Sequence, residues 1–263
     1  RDALRNHPRL SFMLAPHAPY TVSDQTFEKV ATLAAQTGLG IHIHVHETEH
    51  EVLQSLDQYG ERPLARLERL GVLGPQTLAV HAVAMNDADI TCAARHNIHM
   101  AHCPTANLKL GSGMARITEI HAAGINVALG TDGAAGNNRL DLLAETRLAG
   151  LLAKGIHHDP SLFPAHHLIY MATLGGARAL GLEDRIGSLS IGKQADLCAI
   201  RLGDAATLPV FDPASQIVHC AGRDQVTDVW VDGQPVVKKK HLTQISQEEI
   251  YAKAKTWQNR FRG

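Results

Sequence analysis

Ile41-His42-Ile43-His44-Val45-His46-Glu47-Thr48 alternates apolar residues with histidines at a period of two, which is strand periodicity. The three histidines therefore share one face. A strand in a helix-flanked parallel sheet is usually apolar on both faces, so packing alone does not select three imidazoles. The following glutamate makes His44-x-x-Glu47, a metal-ligating side chain and an acid/base group at the mouth of a strand. A histidine-rich edge strand with its polar face in water is the competing reading.

Working outward, the same unit recurs. Residues 10–15 read as a strand running into the rigid loop Pro16-His17-Ala18-Pro19-Tyr20, and Ser23 caps a helix closed by Gly38. The histidine strand leads to a helix over about 47–58, and a second helix follows Pro63. A strand over 77–82 precedes a helix capped by Asn86 or Asp87, and a strand over 98–101 breaks into the loop His102-Cys103-Pro104-Thr105-Ala106-Asn107. A helix over 116–123 and a strand over 125–130 then lead to Asp132, and a helix covers 140–154. Five strand-then-helix units with short connections predict a parallel sheet with right-handed crossovers. His17, His44, His81, His102 and Asp132 all fall at or just past a strand's C-terminal end, the face on which (β/α) barrels build active sites.

The rest of the chain differs. A helical stretch covers 164–182, and 195–201 with 225–237 read as antiparallel strands turned by Asp232-Gly233. Ser246-x-x-Glu249 starts a last amphipathic helix reaching Arg260. The expected class is α/β. Residues 1–184 form about five of the eight units of a TIM-type (β/α)8 barrel, 185–240 form strands of a small β-sandwich, and 241–263 form a terminal helix. Three barrel units are expected to be missing from the front.

Composition narrows the function classes. Of 263 residues, 44% are hydrophobic and 19% charged, and the net charge of −1 offers no basic surface for nucleic acid or anionic membrane. No apolar run approaches the ~20 residues of a membrane span, and Arg1-Asp2-Ala3-Leu4-Arg5 does not open a signal peptide. Cys92, Cys103, Cys198 and Cys220 form no C-x-x-C and suit a reduced cytoplasm. Seventeen histidines are the anomaly, and neutral imidazole is the commonest protein metal ligand.

The stretches APHAPYT, IHIHVHETEHE, AVHAV, HCPTANLKLGSG and LGTDGAAGNN, in this order, resemble the amidohydrolase superfamily. GSLSIGKQADLCAI followed by VTDVWVDGQPV is similar to that family's C-terminal segment. The nearest likeness is to the 5-methylthioadenosine/S-adenosylhomocysteine deaminases that use one metal ion. The resemblance implies a divalent metal, most often zinc, with His44 and Asp132 among its ligands. It makes Glu47 the proton donor to the adenine ring, Asp132 the base that takes water's proton, His81 a hydrogen-bond donor to the attacking oxygen, and His17 a contact to ribose or the 5′ substituent. Glu47 and Asp132 would also hold substrate. His102 is left to fixing its loop, and His42 and His46 to supporting roles.

The family's H-x-H pair has no counterpart ahead of His44. Two ligands are too few for a catalytic zinc site, which normally has three from protein. Weak or no metal binding and no turnover are expected unless an N-terminal segment or chain supplies the pair. The remaining expected partner is a purine nucleoside, with a homodimer in keeping with the family. Ala106 and Gly136 stand where close relatives usually have serine, and a lost hydroxyl shifts selectivity. Guanine deamination, triazine hydrolysis and a non-catalytic fragment are the rival readings. Ordinary structural roles compete for each site residue, such as a helix-terminal acid for Glu47 and a turn aspartate for Asp132.

Overall fold

The computed structural model describes residues 7–261; residues 1–6, which include the opening read for a signal peptide, and 262–263 lie outside the described residues. The chain divides into two compact units, Arg1–Ser188 and Leu189–Gly263.

The first unit alternates strands and helices: β1 (Met13–Leu14), α1 (Asp24–Thr37), β2 (Gly40–Val45), α2 (Glu49–Tyr59), α3 (Pro63–Arg69), β3 (Thr77–His81), α4 (Asp87–Arg95), β4 (His99–His102), α5 (Pro104–Lys109), α6 (Ile117–Ala122), β5 (Val127–Leu129), α7 (Ala134–Asn137), α8 (Leu142–His157), α9 (Ala165–Ala172) and α10 (Leu174–Ala179). The five strands pair in sequence order, all parallel. On β2, Ile41, Ile43 and Val45 are buried while His42 is exposed and His44 half-buried. Burying each of those aliphatic side chains contributes roughly 1.5–3 kcal/mol, which holds the histidines on the opposite face. Phe27, Leu64, Leu67, Ile120 and Leu168 are fully buried in the helices.

Caps fix the boundaries. Ser23 Oγ accepts from the Thr26 N–H, and Gly38 at φ 65° ends α1. Asn86 and Asp89 close a reciprocal capping box at 2.9 Å in each direction. The helix after the histidine strand starts at Glu49, not Glu47, because Thr48 is its cap and His46 lies in the left-handed region at φ 53°. The helical stretch over 164–182 is two helices, broken at Thr173 where φ is −126° and ψ −92°. The loop expected after His102 is instead helical. Pro104 supplies a preset φ at the first position of α5, and the Glu145 carboxylate on α8 accepts from the Thr105 N–H at 3.0 Å.

The second unit holds β6 (Leu197–Ile200), α11 (Pro213–His219), β7 (Val226–Val231), β8 (Gln234–Lys238), β9 (His241–Leu242) and α12 (Gln247–Arg260). Its strands form an antiparallel sheet in the order β6-β7-β8-β9, and Asp232-Gly233 makes the β7–β8 turn. The short helix α11, unanticipated, is capped by Asp212 with Pro213 at its first position. Ser246 caps α12 by accepting from the Glu249 N–H, but none of the helix's residues is buried. Among the described residues no helix is long and apolar enough to cross a membrane.

Candidate functional site

The C-terminal edge of the parallel sheet gathers the histidines. His44 is held by one acceptor: the His17 carbonyl takes its backbone N–H at 3.1 Å and its ring Nδ1 at 2.9 Å. With Nδ1 donating, Nε2 keeps a free lone pair, the arrangement in which histidines ligate metals. His17 itself is exposed, with Nδ1 2.8 Å from Thr21 Oγ1 and its ring edge-on to both Tyr20 and His44.

His81 reaches this face by breaking the strand's alternation. Its bridge partner on β2 is Val45, while His44 pairs with Val80, so strict alternation carries the His81 side chain to the buried face. His81 instead lies at φ 74° and Ala82 at 51°. The ring stands 5.3 Å from that of His44, centroid to centroid. A non-glycine residue in the left-handed region carries strain that surrounding contacts must hold. Asn107 on α5 provides one, its Oδ1 2.8 Å from His81 Nδ1. That contact too leaves Nε2 free, and Nε2 is 3.9 Å from Glu47 Oε1.

Asp132 is a third left-handed residue at a strand end, at φ 60°. Its loop is tied down by Asn137, which donates to the Thr131 carbonyl at 2.7 Å and to Glu145 Oε1 at 2.8 Å. A Cβ on Gly136 would overlap Asp132 Oδ2 and lie 3.8 Å from the Ala106 Cβ. The two positions lacking serine are thus neighbours beside the carboxylate. One ligand atom from each of His44, His81 and Asp132 lies within 4.8 Å of the other two. Two imidazoles with Nδ1 engaged and a carboxylate form a donor set that fits a divalent ion.

The remaining candidates separate. Glu47 is half-buried in the turn after β2, where the buried Glu51 carboxylate accepts from the backbone N–H groups of His46 at 3.0 Å and Glu47 at 2.7 Å. Burial, with the charge of Glu47 adding, pushes Glu51 up to about 7. Tyr20 is also raised, by burial and then by Glu47 and Glu51. His42 is exposed beside the cluster, and His46 is a core residue whose Nε2 accepts from the Leu64 N–H at 3.2 Å. His102 pairs with Leu129 in register, on the face opposite His44, and burial followed by the charge of His81 pushes it down to about 4. Cys103 is raised to about 12 by burial first and the charge of Asp132 second, so it stays a thiol. Asn107, Glu51, Asn137 and Glu145 were not singled out from sequence, although Asn107, Glu51 and Asn137 lie within HCPTAN, IHIHVHETEHE and LGTDGAAGNN; only Glu145 had no signal.

A second group, Glu68, Cys92 and His96, brings ligand atoms equally close. There Glu68 is already engaged by Arg95 and by His96, 2.7 Å away.

The Amidohydrolase family model matches residues 3–236. A 5-methylthioadenosine/S-adenosylhomocysteine deaminase of Teredinibacter turnerae is 44% identical over 260 residues, 99% of this chain and 59% of that protein. An adenosine deaminase of Xanthomonas campestris, solved with bound zinc, superposes with a TM-score of 0.97 at 45% identity, covering 99% of this chain and 60% of that one. Atrazine chlorohydrolase of Arthrobacter aurescens, complexed with zinc, gives a TM-score of 0.88 at 29% identity, over 97% of this chain and 58% of that one. The chain spans about three-fifths of the length of these relatives.

Proposed function

The chain belongs to the amidohydrolase family, and from that premise we propose that it forms part of a metal-dependent aminohydrolase acting on adenosine derivatives. The substrates are 5′-methylthioadenosine, S-adenosylhomocysteine and adenosine, converted to the inosine derivative and ammonia. The observation that carries the reading is the convergence of His44, His81 and Asp132, with Glu47 beside His81. The names and zinc of the relatives support it.

His44 and Asp132 would hold one divalent ion, zinc by preference, with the His81 Nε2 facing the same point. When bound, the ion polarises water so that it loses a proton near neutral pH. Asp132 takes that proton, and its short side chain on a fixed loop keeps the accepting oxygen in place. Glu47 carries a proton to the purine ring nitrogen next to the carbon under attack. With its Nδ1–H given to Asn107 Oδ1, His81 meets the attacking oxygen through Nε2, accepting from the water while neutral and donating once protonated. His17, exposed at the sheet edge, contacts the ribose or 5′ substituent.

The architecture that accommodates this is a partial (β/α)8 barrel over residues 1–184, with 185–240 contributing strands of a composite sandwich and 241–263 a terminal helix. An N-terminal segment or second polypeptide supplies the H-x-H pair, and the whole acts in the cytoplasm, as a homodimer. The likeness to atrazine chlorohydrolase keeps triazine hydrolysis as the second reading, with Ala106 and Gly136 as the positions that bear on the choice.

The test joins the chain to the part of the Teredinibacter turnerae relative that it does not span and follows adenine absorbance. Turnover is expected with methylthioadenosine, S-adenosylhomocysteine or adenosine. Turnover of guanine or a chlorotriazine alone replaces the substrate assignment. A folded, zinc-loaded fusion that turns over none of them refutes the enzyme reading.

A further inference from the structure

Behind the site, on the sheet's helix-covered face, a cavity of about 170 Å³ opens between the α5–α6 connection and α8. Of the five buried side-chain polar atoms with no hydrogen-bond partner among the described residues, four belong to residues lining it: His102 Nδ1, Asn107 Nδ2, Thr118 Oγ1 and Glu119 Oε2. Asn107 is 1% exposed and His102 4%. Buried polar groups ordinarily find partners, and four such atoms at one cavity mark a place built for a hydrogen-bonding occupant. Ile117, Leu152 and Ile156 supply apolar wall. Apolar wall with a few convergent polar atoms is the pattern of small-molecule sites.

The polar atoms define the occupant's chemistry. Asn107 Oδ1 is taken by His81, so its Nδ2 requires an acceptor. Glu119 Oε1 is engaged by Arg116 Nε at 3.2 Å, while Oε2, 3.9 Å from His157 Nε2, has no hydrogen bond among the described residues and can accept one. A carboxylate ligand would face the Glu119 charge, and Arg116, the cation in the lining, is already paired with Asp87 at 2.8 Å and Glu119 at 3.2 Å. The space exceeds the roughly 10–15 Å³ that one water needs and matches cavities of about 150 Å³ that take benzene.

We propose that this cavity binds a small, neutral, planar carboxamide or lactam, whose carbonyl accepts from Asn107 Nδ2 and whose N–H donates to Glu119 Oε2. Because Asn107 also holds His81, occupancy is felt at the catalytic face through one side chain.

Benzamide is the probe, and ligand-observed NMR on the 263-residue chain the measurement, with toluene as an apolar control of like size. Saturable benzamide binding is expected, roughly tenfold tighter than toluene. Ile156→Trp, introduced at a partly exposed position, abolishes it with the unfolding midpoint unchanged, and Glu119→Leu weakens it about tenfold. Benzamide also shifts the His81 ring resonances. Binding untouched by Ile156→Trp, equal binding of toluene, or a crystal soaked in benzamide that shows only ordered water overturns the proposal.

Discussion

Gly136 gives Asp132 its room. A Cβ at that position would overlap the carboxylate's Oδ2 and stand 3.1 Å from its Cγ. Gly136 does not sit at a positive φ, so alanine is acceptable to the backbone and only the carboxylate must yield. Gly136→Ala is expected to leave thermal stability unchanged or slightly raised, as glycine-to-alanine replacements in helices are. In the fusion that completes the barrel, zinc affinity is expected to fall at least tenfold, read by competition with a chromophoric chelator. Unchanged affinity would show that the carboxylate's observed position does not matter.

Arg66 pins the loop that carries His17. Its buried guanidinium donates to Asp24 at 2.8 Å, to the Pro19 carbonyl at 2.6 Å and to the Val22 carbonyl at 3.0 Å, and it stacks 3.6 Å over Tyr59. Arg66→Ala leaves the Pro19 and Val22 carbonyls without their donor, while Asp24 keeps Arg69 at 3.1 Å, and should cost about 2–4 kcal/mol in urea unfolding. Arg66→Lys should recover less than half, because an ammonium cannot serve three divergent acceptors and the ring face together.

Glu51 and His102 pull stability in opposite directions with pH. Glu51 is raised from 4.5 to about 7, so the folded chain holds a proton the unfolded chain has lost. Its contribution is full below 4.5 and is lost as pH rises toward 7. His102 is lowered from 6.5 to about 4, so the unfolded chain takes the proton first. Its contribution is full above 6.5 and is lost as pH falls toward 4, and His46, also lowered to about 4, acts in the same sense. Between pH 4.5 and 6.5, Glu51→Gln should steepen the rise of stability with pH by about 1.4 kcal/mol per pH unit, and His102→Gln should flatten it by as much. Parallel curves for parent and variants would remove both assignments.

Glu47 is the group whose loss should touch chemistry without touching metal. In the fusion that completes the barrel, Glu47→Gln should lower kcat by roughly 10²–10⁴ while bound zinc stays at the parent level. A loss of zinc would make Glu47 a ligand instead of a proton donor.

What sequence made legible was whatever lies within a few residues. The period of two over 41–46, the caps at Ser23 and Asn86 and the Asp232-Gly233 turn are local signals, and the elements formed where they point. Helix α5 was illegible because its N-terminal donor meets Glu145, forty positions away. The turn of His81 toward His44 depends on a left-handed residue that no local pattern demands, and on Asn107 across the next strand. Strand ends placed His44, His81 and Asp132 on one edge; the contacts that aim them come from other elements.

The most direct measurement is zinc affinity in three variants of the fusion that completes the barrel: His44→Gln, Asp132→Asn and, on the same strand face but outside the cluster, His42→Gln. The first two should weaken zinc binding at least tenfold and the third should leave it unchanged. Zinc held as tightly in the His44→Gln/Asp132→Asn double variant as in the parent would contradict the site and send the ion to Glu68, Cys92 and His96 instead.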